Sequence, residues 1–505
     1  MTSHQHLPRT GTAREALREK GQFWTPDWVA EAMVGYVLAE GVDHVFDPAV
    51  GAGAFFRAAK AVGQRLRQRV QLLGSEAFAE ALLEAREQGL SADDLGEVRI
   101  TDFILNPPEG PFSAVVANPP YIRHHRLAPD LKAYLKVLAT RVIGEPLDGR
   151  AGLHVFFLIR ALERLAHSGR LAFILPADTA EGVFAPTLWR WITREFRLDA
   201  VVSFGPDASP FPGVDTNALV FMIRKAPPSA SFLSARCDER GAAFLDWTLG
   251  GLRPDARGLS VTVRDLKEAV KTGLSRPPSP HNDACPRLFM FATVLRGIAT
   301  GANEFFFLTR QRAAELNIPS DFLVPAIGRT RDVTGSTVNE ARLEELNTAG
   351  RPTLLFAPDG RMIKSFPASV RDYLKRGEAL GLPTRTLIAS RRPWYKMERR
   401  TPPPYLFAYL GRRHARFVRN DAGVVPLTGF LCVYPRVDDP GYHAALGHVL
   451  THPDTVRNLP LVGKSYGGGA IKVEPRALEN LPLPPHVVAE AVLEVPAADE
   501  QLVVL

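Results

Sequence analysis

The first 230 residues alternate short apolar segments with helical patterns, and this alternation restricts the possible folds more than any other feature. It is typical of a parallel sheet that is covered by helices. We predict seven strands, the last two forming a hairpin, at HVFD, QLLGSE, EVRITD, SAVVAN, RLAFILP, DAVVSF and NALVFMI. The expected fold class is therefore α/β, with a seven-stranded, mostly parallel, doubly wound sheet.

Helical patterns separate these strands. Thr25 is a candidate cap with Pro26 at the first helical position, and apolar residues at helical spacing follow it. A second long helix is predicted from about Gly152 to Ala166. After Lys225 the chain becomes rich in Pro, Ser and Ala, which favours a domain boundary between residues 230 and 231. The remainder, 231–505, is expected to be a mixed α+β domain.

Charge is distributed unevenly between these two parts. Residues 1–230 hold 25 Lys and Arg against 26 Asp and Glu, whereas residues 231–505 hold 36 against 28. All the excess positive charge therefore lies in the second part, as expected if that part binds a polyanion. A solvated basic surface is the simpler alternative.

Other features of the composition exclude several classes of protein. The three cysteines, Cys237, Cys285 and Cys432, are too few and too widely spaced for a disulfide framework or a zinc site, so we expect buried thiols. No apolar run reaches the 18 to 20 residues of a membrane span, and the N-terminus lacks the apolar stretch of a signal peptide. These observations predict a cytoplasmic protein.

Polar residues follow the predicted strands at the edge where open parallel sheets bind ligands. After the first strand comes DPAVGAGAFF, in which Gly51 and Gly53 let the backbone approach a ligand while Asp47 faces it. The third glycine of a dinucleotide fingerprint is missing, which disfavours an NAD site. A structural tight turn remains an alternative for this segment alone.

The next two strands also end in acidic residues. Glu76 lies 23 residues after Gly53, where a carboxylate can accept hydrogen bonds from both ribose hydroxyls. Asp102 and Phe103 are placed for the amino group and the ring face of an adenine. Three consecutive strand ends of this kind predict a nucleoside ligand.

The fourth strand ends in ANPPYIRHH. Two prolines cannot continue a β-ladder, so the rigid backbone presents the Asn118 amide and the Pro119 carbonyl as acceptors. An exocyclic amine that donates to both would be held with its lone pair toward an electrophile, and Tyr121 could stack on the attached ring. The alternative is a strand terminator before a loop.

The order of these segments resembles the gamma type of N6-adenine-specific DNA methyltransferases of restriction-modification systems, which share the NPPY motif. The resemblance implies a class I fold for methyltransferases that use S-adenosylmethionine, with residues 1–230 as the catalytic domain and residues 231–505 as a target-recognition domain. It implies Asn118, Pro119 and Tyr121 as catalytic residues, and no metal ion. The implied cofactor residues are Thr25, Asp47, Ala49, Gly51, Gly53, Glu76, Asp102, Phe103 and Pro120.

The same resemblance implies how the target is held. FPGVDTNALVFMI is similar to the segment with a base-stacking aromatic, which gives Phe211 a place opposite Tyr121. The implied DNA contacts in the C-terminal part are Arg391, Arg392, Trp394, Tyr395, Lys464, Tyr466 and Lys472. AGLHVFFL departs from the family pattern, so His154 receives no role. The implied partners are duplex DNA and, as a candidate, a separate restriction endonuclease.

Three other functions stay open from the sequence. A protein-glutamine methyltransferase also carries NPPY, but it would not explain 275 further residues with net charge +8. An RNA methyltransferase meets the same chemical demands, since RNA also presents phosphates and unstacked bases. A nonenzymatic DNA-binding subunit would keep the basic part without requiring the NPPY segment.

Overall fold

The computed structural model describes residues 24–38, 41–205, 207–211, 217–276, 285–409, 415–466 and 470–495. The chain divides into two compact units near residue 278. Within the described ranges, no helix combines the length and the apolar character needed to cross a membrane.

A nine-stranded mixed sheet forms the first unit, in the order β3-β2-β1-β4-β5-β7-β6-β8-β9. The strands are β1 (His44–Asp47), β2 (Gln71–Glu76), β3 (Val98–Ile100), β4 (Phe112–Ala117), β5 (Leu165–Pro176), β6 (Arg197–Phe204), β7 (Ala218–Arg224), β8 (Ser231–Cys237) and β9 (Ser260–Asp265). Strands β1 to β5 are parallel, and β7 is antiparallel to both of its neighbours, β5 and β6.

Helices connect these strands and cover both faces of the sheet. They are α1 (Asp27–Val37), α2 (Ala54–Leu66), α3 (Ala79–Glu87), α4 (Pro129–Ile143), α5 (Leu153–Glu163), α6 (Asp178–Glu181), α7 (Ala185–Glu195), α8 (Ala243–Leu249) and α9 (Leu266–Thr272). One apolar core contains residues of α5 and α7, and the other contains residues of α1 and α2. Side chains alternate between the two cores along a strand, as Val115 and Val116 of β4 show.

The predicted α/β fold is confirmed, and all seven predicted strands are present. Two differences concern the extent of the first unit and the start of its first helix. Strands β8 and β9 add to the sheet, because β8 pairs in parallel with β6 and β9 pairs with β8. The first compact unit therefore extends to about residue 278 instead of ending at residue 230. The helix α1 begins at Asp27 with an extended Pro26 as its N-cap, so Thr25 lies one residue too early to cap it.

The second unit is a mixed α+β domain with two main sheets. The first has the order β10-β18-β15-β16-β13 and the second the order β11-β14-β12-β17. These strands are β10 (Ala292–Arg296), β11 (Phe307–Leu308), β12 (Leu323–Ile327), β13 (Thr337–Val338), β14 (Leu354–Phe356), β15 (Tyr405–Ala408), β16 (Arg416–Asn420), β17 (Val425–Pro426) and β18 (Phe430–Pro435). A further two-stranded sheet pairs β19 (Lys464–Tyr466) with β20 (Ala470–Lys472).

The helices of this part are short. They are α10 (Asn303–Phe306), α11 (Arg310–Glu315), α12 (Glu340–Thr348), α13 (Ala368–Ala379), α14 (Thr386–Ala389), α15 (Pro440–Thr451), α16 (Pro453–Arg457), α17 (Leu459–Val462), α18 (Pro475–Glu479) and α19 (Pro485–Glu490). An aromatic cluster around Phe305, Phe306, Phe356 and Tyr373 forms one of the cores. All three cysteines are buried free thiols, as predicted.

Candidate active site

Four parallel strands bring the predicted site residues to one edge of the first sheet. Their spatial order is β3-β2-β1-β4. Asp47 and Glu76 are the last residues of β1 and β2. Asn118 directly follows β4, and Asp102 comes two residues after β3. Because parallel strands end at the same edge, the topology places these side chains side by side.

The glycine turn after β1 has a left-handed backbone conformation at both of its glycines. Gly51 and Gly53 have φ values of 52° and 74°, in the left-handed region that favours glycine. A Cβ on Gly53 would also lie 2.3 Å from Leu90 Cδ1, so the turn packs closely against its neighbours. Gly53 caps α2, and this turn therefore runs directly into a helix N-terminus.

Asp47 is completely buried at the start of this turn. Its Oδ1 accepts a hydrogen bond of 2.9 Å from the Ala49 N–H, whereas its buried Oδ2 has no partner among the described residues. Burial is the main cause that raises the pKa of Asp47 to about 8; the Ala49 N–H opposes this shift, and the nearby Glu76 adds to it. The unpartnered oxygen leaves this carboxyl with capacity for one more polar contact.

Glu76 connects the end of β2 to the glycine turn. Its Oε2 accepts from the Gly51 N–H at 2.8 Å, and its Oε1 accepts from the Phe78 N–H at 3.1 Å. Each carboxylate oxygen has two lone pairs, so both oxygens keep acceptor capacity for hydroxyl donors. Glu76 therefore supports the turn and can also bind a diol.

Asp102 is exposed and accepts hydrogen bonds from the Ile104 and Leu105 N–H groups through Oδ1, at 2.8 and 3.1 Å. The prediction for Phe103 needs correction. Its side chain is 1% exposed and packs between Phe46 and Phe157, with ring centroids 5.8 and 5.6 Å away. The ring belongs to the apolar core and has no open face for an adenine.

Three further predicted cofactor residues lie in or beside the same chain segments. Thr25 is buried, 5% exposed, two residues before α1. Ala49 belongs to the glycine turn through its N–H bond to Asp47. Pro120 is half-buried after β4, and its carbonyl accepts from the Ile122 N–H at 3.0 Å.

The NPPY segment leaves the sheet as a rigid connection. Asn118 is half-buried and Pro119 is buried. The Tyr121 hydroxyl donates to the Ile174 carbonyl of β5 at 3.0 Å and so fixes the ring against the neighbouring strand. Burial raises the pKa of Tyr121 well above its usual range, and Asp178 raises it further.

Tyr121 and Phe211 come together, as the sequence predicts. Their ring centroids are 6.4 Å apart with the planes at 84°, an edge-to-face contact. Phe211 is 5% exposed and belongs to the core on the α1 side of the sheet. A base between two parallel rings would need one ring to turn, so the predicted arrangement around a base stays a prediction.

His154 lies beside Tyr121, although the sequence predicts no role for it. It lies at the start of α5, and its ring contacts Tyr121 edge-on with centroids 5.8 Å apart. The side chain is 4% exposed, and its Nε2 lies 3.5 Å from Asp178 Oδ1. Neither ring nitrogen has a hydrogen-bond partner among the described residues. A polar residue at the start of an otherwise apolar helix is the only sequence signal for it.

The structure corrects the role predicted for Arg391 and Tyr395. Arg391 donates to the Ala299 and Thr300 carbonyls at 2.7 and 2.8 Å and lies over the Phe306 ring. Burial lowers the pKa of Arg391. Tyr395 is 6% exposed, and its hydroxyl donates to the Arg361 carbonyl. Both side chains hold the domain together instead of facing outward.

The other predicted DNA contacts differ among themselves. Arg392 is exposed but donates to the carbonyls of Ala389 and Arg391, at 2.6 and 2.8 Å. Trp394 is half-buried and packs on Phe305 and Phe306. Lys464, Tyr466 and Lys472 lie in β19 and β20, and their side chains are outside the described part of the chain.

Two family models match the chain in succession. Residues 10–230 match the model described as N-6 DNA Methylase. Residues 280–502 match the model described as the C-terminal domain of the type II methyltransferase M.Eco57I. The second match begins where the second compact unit begins, near residue 278.

Individual proteins are similar over most of the chain. Type II methyltransferase M.AccI of Acinetobacter calcoaceticus is 25% identical over 489 residues, which cover 92% of this chain and 85% of the relative. Type II methyltransferase M.XamI of Xanthomonas campestris pv. amaranthicola is also 25% identical, with the same coverage of both chains.

Among solved structures, that of the type IIL restriction-modification enzyme MmeI in complex with DNA has a TM-score of 0.53 at 12% identity. It covers 92% of this chain, while this chain spans 64% of that protein, and the similarity supports the fold. Together with the motif order at the edge of the first sheet, the two model matches establish the family. The chain belongs to the N6-adenine DNA methyltransferases and carries a C-terminal domain of the M.Eco57I type.

Proposed function

We propose that this enzyme transfers a methyl group from S-adenosylmethionine to N6 of an adenine that is flipped out of duplex DNA, at a specific sequence. The observation that carries this proposal is the meeting of the glycine turn, Glu76 and Asn118 at one edge of four parallel strands. A methyl-transfer site needs a place for the nucleoside of the cofactor and an acceptor for the target amine. The glycine turn with Glu76 would provide the first, and Asn118 the second.

The residues around the turn fit S-adenosylmethionine. Glu76 would bind the ribose hydroxyls, and Asp102 would accept from the adenine amino group. The unpartnered Asp47 Oδ2 would make a further hydrogen bond with the ligand or with a water molecule. When bound, the cofactor would supply a methyl group made electrophilic by the sulfonium charge.

The NPPY segment would then act on the target amine. An aromatic amine is a poor nucleophile, because its lone pair is delocalised into the ring. Hydrogen bonds from the N6 amine to the Asn118 side chain and the Pro119 carbonyl would localise that lone pair and aim it at the methyl group. Residues fixed before the reaction need no reorganisation during it, and the prolines provide this rigidity.

The adenine must leave the helix to react, since its N6 cannot reach the methyl group inside the stack. Tyr121 directly follows the dipeptide that would bind the amine, so its ring is the first candidate for stacking on the base. Phe211 contacts Tyr121 edge-on, and a change in one ring angle would open a space for the base.

Sequence recognition is proposed for the part of the chain after residue 230, which holds the net charge of +8. The relatives named type II methyltransferases support a role as the modification enzyme of a restriction-modification system. A separate endonuclease partner and a cytoplasmic location follow from that role and stay predictions.

The test is a transfer assay with the full chain and labelled S-adenosylmethionine, offered duplex DNA, structured RNA and protein in parallel. We expect label in DNA only, and we expect digestion to nucleosides to yield N6-methyladenine. Label in RNA or protein instead would overturn the proposal. Asn118→Ala should abolish labelling, whereas Asn106→Ala, an exposed asparagine after β3, should retain it.

A further inference from the structure

Many arginines of the second unit bind the protein itself. Arg391 and Arg399 donate to backbone carbonyls, and Arg419 forms a bidentate pair with Asp421. Such side chains are already occupied, so a polyanion must find other cations. Candidates are exposed arginines that have no partner among the described residues.

Two of these lie two residues apart in one loop, residues 328–335, which we name the arginine loop. It follows β12, and its residues Thr330–Asp332 form a single 3-10 turn. Arg329 and Arg331 are both exposed, and neither guanidinium group makes an ion pair or a hydrogen bond with another described residue. Two guanidinium groups are thus presented to solvent from one short turn.

Three other arginines hold the arginine loop from within the domain. Arg351 pairs with Asp332 at 2.8 Å, and Arg342 Nε donates to the Asp332 carbonyl at 2.8 Å. Arg416 donates to the carbonyls of Val333 and Gly335, at 2.6 and 3.3 Å. These bonds fix the backbone of the loop, so Arg329 and Arg331 are held by a well-anchored segment.

The loop also begins at a closely packed point. A Cβ on Gly328 would lie 2.6 Å from Phe307 Cε1, so only glycine fits there without a shift. A Cβ on Gly429 would lie 3.0 Å from the Gly328 carbonyl, which shows how closely the two backbone segments approach. The loop is therefore anchored at its start by packing as well as by hydrogen bonds.

The charge of the loop is not balanced on its outer side. Its only carboxylate, Asp332, is 7% exposed and already paired with Arg351. Arg329 and Arg331 thus carry two positive charges that no acidic residue of the loop neutralises. A guanidinium group matches the geometry of a phosphate and can donate two parallel hydrogen bonds to it.

We propose that the arginine loop is a DNA-contacting element of the C-terminal domain, in which Arg329 and Arg331 bind backbone phosphates of the duplex. This proposal rests on the proposed function. It assigns positioning contacts, not base reading, to this loop. The loop backbone is held in place by hydrogen bonds, and no acidic residue of the loop neutralises the two guanidinium groups. Both features suit a loop that binds phosphates.

The test compares the full chain with R329A/R331A. Binding to a fluorescein-labelled duplex of about 30 base pairs is measured by anisotropy at several salt concentrations. Each lost phosphate contact lowers the salt slope by about 1, so we expect a decrease of about 2 and a similar loss of affinity for unrelated sequences. The matched control is R376A/R476A, which removes two exposed arginines elsewhere in the unit.

An unchanged slope in R329A/R331A, or an equal decrease in the control, would overturn the proposal. A loss confined to one DNA sequence would also overturn it, because that result indicates base reading. If the alanine variant does not fold, R329Q/R331Q provides the comparison: both charges are lost while most of the side-chain length is kept, and the slope should again fall by about 2. Methylation of plasmid DNA by the wild type is measured separately, so failure of the proposed function is distinguished from failure of this contact.

Discussion

In two regions of this enzyme the sequence predicts functional polar residues, but the structure places the side chains of the two regions in different surroundings. At the edge of the first sheet, Asp47, Glu76 and Asn118 lie where neighbouring parallel strands end. In the segment Arg391–Tyr395 of the second unit, Arg391 and Tyr395 bind carbonyls of their own domain. Polar side chains thus lie at a proposed ligand site in one region and support the scaffold in the other.

The difference arises from the way the backbone positions the side chains in each region. In a parallel sheet the strand order decides which edge a residue occupies, whatever its side chain does. In the second unit, several backbone carbonyls accept hydrogen bonds from arginine side chains. A guanidinium group, with five donors, is well suited to bind several of them, as Arg399 does with the Asp321 and Ala357 carbonyls.

The largest expected effect tests the first region at its catalytic end. Asn118→Ala should lower kcat by a factor of about 10² to 10³, the usual cost of losing a fixed hydrogen-bonding group at a transition state. Cofactor and DNA binding should change little, since the amide acts on the attacking amine. Single-turnover methylation of duplex DNA measures the loss, with N106A as the matched control. Rates within a few-fold of wild type would make NPPY a strand terminator here.

A smaller effect is expected at the cofactor end of the same edge. Glu76→Ala should weaken S-adenosylmethionine binding by about 1 to 3 kcal/mol, or roughly 5- to 150-fold, because hydroxyl donors lose a charged acceptor. Calorimetry on the folded variant measures this change.

Glu76 also supports the glycine turn, so a second variant is needed. Glu76→Gln keeps one acceptor oxygen and should lose less affinity than Glu76→Ala. Glu80→Ala, an exposed acid in α3, is the control and should bind as wild type does. Unchanged affinity in both Glu76 variants would exclude a direct ribose contact.

The sequence predicted the fold and the strand-end residues because both depend on local patterns. Alternating apolar segments predicted where the strands lie along the chain, and the parallel pairing of β1 with β2 brings Glu76 next to the glycine turn. What it could not predict depends on tertiary packing. Phe103 follows a strand end exactly as a ligand-facing residue would, yet its ring turns into the core between Phe46 and Phe157. His154 reaches Tyr121 only because α5 packs beside the NPPY segment.

Two variants of Tyr121 separate the contribution of its ring from that of its hydroxyl. Tyr121→Ala should weaken binding of the extruded base by about 1 to 3 kcal/mol, the usual contribution of one aromatic platform. Tyr121→Phe keeps the ring but loses the bond from the hydroxyl to the Ile174 carbonyl, and it should retain more of the binding than Tyr121→Ala. Once the methylated adenine is mapped, a duplex with 2-aminopurine at that position should brighten with the wild type and change with Y121A. An unchanged signal in an active enzyme would count against this geometry.

The smallest expected effect on DNA binding concerns the second of the two regions, at Arg391. Arg391→Ala should leave the salt slope of duplex binding unchanged, because its guanidinium group is bound to the Ala299 and Thr300 carbonyls and lies over Phe306. The loss should appear in stability: removing a charged donor from the carbonyls of the exposed Ala299 and the buried Thr300 should lower the free energy of unfolding by about 1 to 3 kcal/mol. Urea unfolding measures that change, and Lys396→Ala, an exposed neighbouring cation, is the control. A slope that falls by about 1 in R391A without loss of stability would restore this arginine as a phosphate contact. The two regions would then differ less than their hydrogen bonds indicate.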